Sequence, residues 1–255
     1  YLNGEKTNPY QPDLDLPEKF GKNILLIDDL WSYNNNKLKK HLEKYKNHRF
    51  GFYQTYELNQ KNLQYNFHGG AEWMGASVDH DNNIMYVTSN NIPWETGVTQ
   101  INNKNESIPI YSSYFKRALD DKGYPITKPP WGTLTSLNLN NGKIIWQVPL
   151  GDYKEISKNL SEKTGTENFG GVTSTSGNIS IATGTLDKKI YIFNNDNGKI
   201  IYEKKLPFIG SAPPTTYLSD GKQYIIVHST GGFSLKKGYP NLVETGNALV
   251  AFKLK

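Results

Sequence analysis

Cysteine is absent from this 255-residue chain, and methionine occurs only twice. Without cysteine there is no disulfide framework and no thiolate metal site. The compartment stays open, because an exported protein can dispense with cysteine. Long apolar runs are also missing. Hydrophobic residues make up 36% of the chain, and no stretch approaches the roughly 20 consecutive apolar residues of a transmembrane helix. The first residue is Tyr1, with no initiating Met and no signal-peptide pattern, which reads as a processed or partial chain. Acidic residues number 24 against 29 Lys and Arg, and most of the excess lysine is scattered. The densest basic run, KLKKHLEKYKNHRF (37–50), carries Glu43 among its lysines and reads as a solvated helix rather than a phosphate-binding patch. No nucleic-acid-binding module accompanies it, so no nucleic-acid partner is expected.

What is abundant is aromatic: 13% of the residues, led by 17 Tyr, which suits pleated, half-buried surfaces. Residues 1–66 read differently from the rest. NPYQPDLDLPEKF (8–20) is punctuated by Pro and suits an extended arm. NILLIDDLWSYNNNKLKKHLEKY (23–45) has helix-like spacing, with Leu30, Leu38 and Leu42 as candidate contacts and Asn34 to Asn36 as a break. From Phe67 onward short β-type runs alternate with Gly, Asn, Asp and Pro. The expected division is therefore 1–66 as an arm or insertion with a short helix, and 67–255 as a β-domain.

Within that β-domain one sentence is written twice. GTLTSLNLNNGKIIWQVPLG (132–151) and KKIYIFNNDNGKIIYEKKLP (188–207) superpose when Gly142 is laid on Gly198, 56 residues on. The same shift pairs Leu134 with Ile190, Leu137 with Phe193, Ile144 and Ile145 with Ile200 and Ile201, and Trp146 with Tyr202. NALVAFKLK (247–255) is a third, shorter copy. Strand-like runs precede each copy at 83–90, 178–185 and 223–230. Antiparallel units recurring about every 40–60 residues, with no helical text between their strands, predict propeller blades rather than a solenoid. A blade must dock on its neighbour. A large aromatic at a set distance from the turn glycine gives each blade the same docking knob, burying about 150–250 Å². Trp146 and Tyr202 are the expected knobs. The fold class is all-β: a partial β-propeller of about three to four four-stranded blades.

At this point the residues resemble a known family. SLNLNNGKIIW (136–146) is similar to the tryptophan-docking repeat of quinoprotein dehydrogenases, which are eight-bladed propellers that bind pyrroloquinoline quinone (PQQ). That repeat usually has Ala, Asp and Thr where this chain has Ser136, Asn138 and Asn141. GGAEWMGASVDHDNNIMYVTSNNIPW (69–94) resembles the family's Gly-Gly-x-Asn/Glu-Trp segment, and residues 128–152, 165–207 and 212–232 resemble its later blades in order. The likeness is to the membrane-bound glucose dehydrogenase branch, in its C-terminal portion.

The resemblance implies a two-electron oxidation of an aldose or alcohol hydroxyl, with PQQ as cofactor and calcium or magnesium as Lewis acid. A quinone would be the electron acceptor. It implies a periplasmic location, with any inner-membrane anchor lying outside this chain, and the missing N-terminal blades as partners. The family's catalytic Asp and metal ligands have no counterpart in these 255 residues, so no catalytic or metal-binding residue is assigned, and the fragment alone is expected to be inactive. Carried over to this sequence, the cofactor-binding candidates are Glu72 and Trp73, near the quinone's reactive edge, and Asn168, Phe169 and Gly170, on a loop whose backbone donates to the cofactor. After Gly231-Gly232 the glucose-type relatives carry a His where this chain has Phe233, which weakens the case for glucose. His68 is a poor substitute for a base. The rival reading is a non-catalytic propeller scaffold that binds a protein partner at its rim, and it has no need of Glu72-Trp73 or the Asn168 loop.

Overall fold

The computed structural model describes residues 14–101 and 110–253. In chain order these form α1 (Asn35–Tyr45), β1 (Arg49–Phe50), β2 (Lys61–Tyr65), β3 (Ala76–Asp79), β4 (Ile84–Asn90), β5 (Pro93–Ile101) and β6 (Ile110–Arg117). Then come β7 (Gly132–Asn138), β8 (Lys143–Pro149), α2 (Lys154–Ser157), β9 (Val172–Thr175), β10 (Ile179–Ala182), β11 (Lys189–Asn194) and β12 (Ile200–Lys205). Last are β13 (Thr215–Ser219), β14 (Lys222–Ser229), α3 (Phe233–Gly238) and β15 (Ala248–Lys253). The strands make three four-stranded sheets and one three-stranded sheet. Among the described residues no helix is long and apolar enough to cross a membrane.

The chain divides into two compact units. One is built mainly from Lys22–Gly70 and Ile92–Lys128; the other from Leu16–Gly21, Ala71–Asn91 and Pro129 onward. The boundary expected between residues 66 and 67 falls elsewhere. β2 lies before it, yet pairs antiparallel with β5 after it, Leu63 opposite Glu95. Such long-range pairing leaves no local mark in the sequence. Two strands, β1 and β2, thus come from the segment expected to be an arm.

In the first unit the sheet runs β1-β2-β5-β6. Its core is Leu25, Leu30, Tyr45, Leu63, Tyr65, Ala118 and Ile126, with Leu38 packed against it. The expected helix is shorter than its spacing suggested. Ile27–Asp29 is a single 3₁₀ turn. Asn34 does not break a helix but starts one: its Oδ1 accepts from the backbone N–H of Asn36 at 2.9 Å and Lys37 at 3.3 Å, as a capping residue does. The inward stripe is Leu38, His41 and Tyr45, and Leu42 falls off it and is exposed. Lys39, Lys40 and Lys44 lie exposed on the helix's outer side, whereas Lys37 is half-buried and paired with Asp120 at 3.2 Å and with Asp121. Of the Pro-punctuated arm, residues 8–13 lie outside the described residues. From Leu16 the arm joins the second unit: Glu18 N–H donates to Gly142 O and its carboxylate accepts from Ile144 N–H, both at 2.7 Å.

A buried carboxylate ties the first unit together. Glu95 on β5 faces His48 Nε2 at 3.5 Å and the Lys116 and Lys61 amines at 3.1 and 3.4 Å. His48 and then Lys116 hold its pKa down to about 2.

In the second unit the sheets run β3-β4-β7-β8, β9-β10-β11-β12 and β13-β14-β15. The repeat read from sequence is structural down to its irregularity. In the β7–β8 pair, Ser136 opposes Trp146 but Leu137 opposes Ile144. In β11–β12, Ile192 opposes Tyr202 but Phe193 opposes Ile200. Each hairpin therefore has a bulge that leaves Ile145 or Ile201 unpaired and exposed, which is how one strand carries two adjacent isoleucines and then an aromatic. The turns repeat too: Gly142 N–H donates to Asn138 O at 2.8 Å, and Gly198 N–H to Asn194 O at 2.9 Å.

Trp146 is the docking knob expected. Its indole N–H donates to Asn195 O at 2.7 Å, and its ring lies over Gly198, where a Cβ would stand 2.8 Å from the indole. Around it, Tyr86, Leu134 and Leu150 of the first sheet meet Val172, Ala182, Tyr191 and Phe193 of the second. Tyr202 docks less completely. It meets the Phe252 ring edge-on at 6.5 Å and stays 43% exposed, because the third sheet has three described strands where the second has four.

Two outcomes follow. Trp146→Ala removes packing and leaves Asn195 O without its donor, so it should lower stability by about 3 kcal/mol in urea unfolding, whereas Ile145→Ala changes it little. Glu95 has a folded pKa below its unfolded one, so its contribution is complete above about 4.5 and is lost as pH falls toward about 2. Glu95→Gln should be less stable at pH 7 and lose less between pH 5 and pH 2.5. Parallel acid titrations of the two proteins would argue against this role.

Candidate functional site

Antiparallel order sends the ends of a sheet's connections to opposite poles. In the second unit the tight turns 80–83, 139–142, 176–178, 195–199 and 220–221 occupy one pole. The segments entering β3, β9 and β13 occupy the other, together with those joining β10 to β11 and β14 to β15. Neighbouring strands keep the same sense: Ser77 Oγ on β3 lies 2.6 Å from Ser174 Oγ on β9, and Thr173 Oγ1 donates to Pro214 O at 2.6 Å just before β13.

At that second pole lies a pocket of about 470 Å³. Trp73, Met74 and Phe169 form an apolar wall. Gly210, Ser211, Thr230, Gly232 and Thr245 also line the pocket, and α3 contributes Ser234, Leu235 and Lys236. Trp73 is 76% exposed, its ring 6.5 Å from that of Phe169 and tilted at 53°. An indole this exposed at the mouth of a pocket is positioned to meet a ligand face rather than to fill a core. Ser211 Oγ and Thr230 Oγ1 are hydrogen-bonded to each other at 2.6 Å.

The structure brings Trp73 and Phe169 together, with Glu72 half-buried one residue away. Asn168 and Gly170 stand behind the wall. Asn168 is buried in a reciprocal clamp with Asn90. Its backbone N–H and Nδ2 donate to Asn90 Oδ1 at 2.8 and 3.0 Å, and its carbonyl accepts from Asn90 Nδ2 at 2.9 Å. Phe169 N–H donates to Gly184 O at 3.3 Å. Gly170 and Gly184 touch backbone to backbone; a Cβ on Gly184 would lie 1.9 Å from Gly170 N. The 183–188 loop behind them is fixed in turn by Asp187, which accepts from Thr185 Oγ1 at 2.5 Å and from the Tyr191 hydroxyl. Burial raises the Asp187 pKa.

Sequence reasoning missed Ser211, Thr230 and Lys236. The available signal was the stretch between β14 and β15: it follows Gly231-Gly232 and is far longer than the loop between β10 and β11. Among the described residues no group of three or more His, Asp or Glu is gathered to hold a metal ion. The donor set does fit one side of a flat, anionic ring system: two aromatic walls, hydroxyls and one cation in a pocket of ordinary ligand size.

The family model for the PQQ glucose/ethanol/alcohol dehydrogenase β-propeller domain matches residues 1–225. Quinoprotein glucose dehydrogenase A of Acinetobacter calcoaceticus is 28% identical over 206 residues, 73% of this chain and 25% of that protein. Quinate/shikimate dehydrogenase (quinone) of Acinetobacter baylyi is 28% identical over 190 residues, 64% of this chain and 23% of that protein. The chain thus spans about a quarter of the length of these curated relatives. Among solved structures, a europium-containing methanol dehydrogenase superposes with a TM-score of 0.53 at 18% identity, covering 73% of this chain and 33% of that one. This is a likeness of fold.

Asn90→Ala tests the clamp. It leaves the buried Asn168 N–H, side-chain amide and carbonyl without their Asn90 partners and should cost about 1–3 kcal/mol in urea unfolding. An unchanged midpoint would show that the clamp does not hold the Phe169 loop.

Proposed function

We propose, from the premise that the chain belongs to the PQQ glucose/ethanol/alcohol dehydrogenase β-propeller family, that its pocket is one wall of the redox site of a quinoprotein dehydrogenase. The observation that carries this reading is the exposed Trp73 set beside Phe169 at the pole where the sheet-joining loops gather. PQQ, when bound, supplies a two-electron sink for oxidation of a hydroxyl carbon.

The chain's own residues bind and orient. Trp73 and Phe169 offer ring faces, and Glu72 lies beside the reacting edge. Asn168 and Gly170 hold the Phe169 loop against the 183–184 backbone, so its position is set before any ligand arrives. The hydroxyls of Ser211 and Thr230 offer hydrogen bonds to quinone or substrate oxygens.

The substrate class is an aldose or alcohol hydroxyl, and the electron acceptor is a quinone; the relatives' names print glucose for one of those proteins and quinate/shikimate for the other. The catalytic base and a calcium or magnesium ion belong to other parts of the propeller, so the 255 residues alone turn over no substrate. The reaction is placed in the periplasm.

The test is reconstitution of the full-length protein with PQQ and calcium or magnesium, read both by PQQ binding and by dye reduction with aldoses and alcohols. Trp73→Ala should weaken PQQ binding at least about tenfold, the scale of one lost aromatic stacking contact. Unaltered PQQ affinity in that variant, or a full-length protein that binds no PQQ and instead captures a protein partner, favours the scaffold reading.

A further inference from the structure

Between β14 and β15 the chain makes a built element, where the second sheet has only the short 183–188 loop. Leu235, Tyr239 and Val243 bury its inner side. Gly231 N–H donates to Ile209 O at 2.9 Å and Gly246 N–H to Thr230 O at 3.0 Å, closing its base. Within it, Tyr239 N–H donates to Leu235 O at 2.8 Å and Val243 N–H to Tyr239 O at 3.0 Å. Among the described residues, Lys236 on α3 is the only ionisable side chain lining the pocket. Its amine is steadied by Pro240 O at 2.7 Å, which occupies one of an ammonium's three donors. Glu244, on the far limb of the same loop, is held by Lys188 at 2.7 Å, with the Lys236 charge a weaker influence on it. A lysine among the residues lining an apolar ring-binding pocket, with no acid in that lining, suits an anion on the ligand.

We propose that Lys236 is the specificity residue of this pocket, the counter-ion for a carboxylate carried by the ligand seated against Trp73 and Phe169. The inference rests on reading the pocket as the redox site. It narrows the substrate to a hydroxylated ring carboxylate over a neutral aldose, unless the carboxylate in question is the cofactor's own.

The probes that separate these are quinate, glucose and PQQ, each titrated into the full-length protein and its Lys236→Gln and Lys236→Arg variants. Binding is followed by calorimetry and by Trp73 fluorescence, with Trp73→Phe as blank. In Lys236→Gln, quinate binding should weaken about tenfold, the worth of one charged hydrogen bond, with recovery in Lys236→Arg and glucose unchanged. Weakened PQQ binding with quinate unchanged assigns the carboxylate to the cofactor and still supports Lys236 as its partner. The proposal is overturned if both anions bind Lys236→Gln as they bind the unaltered protein. It is also overturned if glucose weakens as much as quinate, which would make Lys236 a brace for the loop. A full-length protein that binds no PQQ defeats the redox reading on its own, while the quinate-to-glucose contrast still reports on Lys236.

Discussion

The second unit depends on sheets that can lie face to face, and one hydrogen-bonded indole shows how they do. Trp146 crosses from β8 to the next sheet's turn, bonds Asn195 O and roofs Gly198. Isolated, neither sheet could bury its apolar face. Together they enclose Tyr86, Leu134, Tyr191 and Phe193. The bulge before the aromatic is part of the same device, because it turns Ile145 out while Trp146 turns in. The second and third sheets repeat the arrangement with Ile181, Ile190, Leu206 and Val227.

Stacked sheets of this kind fix where chemistry can go. One pole is used up by tight turns, and the loops that can vary in length are gathered at the other. There, close backbone contact between Gly170 and Gly184 and the buried Asn90–Asn168 clamp consume polar groups to make a firm wall. Trp73 can stay exposed because the segment that carries it is braced by neighbours: a Cβ on Gly171 would stand 3.0 Å from Met74 Cβ. The pocket is thus a rigid support with an apolar face, which suits a flat ligand.

The first unit is stabilised differently. Its small apolar core is supplemented by Glu95, buried on β5 and facing His48 with the amines of Lys61 and Lys116. Removing one partner from such a group leaves charge without compensation, so these residues act together rather than singly.

Except for the bulge before the aromatic, the sequence alone was enough for the repeated hairpins of the second unit, the alignment of one copy on the other and the docking role of Trp146. These follow from period-2 alternation and Asn-Gly turns, which are local and repeat with a fixed offset. It also marked Trp73 and Phe169 for the same neighbourhood through a resemblance spread over the chain. Tertiary structure decided the rest. That β2 pairs with β5, that Asn34 starts a helix, that Leu42 faces out and that Asn168 turns away from the pocket toward Asn90 are all set by partners distant in the chain. Lys236 is the clearest case. In the sequence it is one lysine among many, and only the folding of the β14–β15 loop, with Leu235, Tyr239 and Val243 buried on its inner side, brings it into the pocket lining.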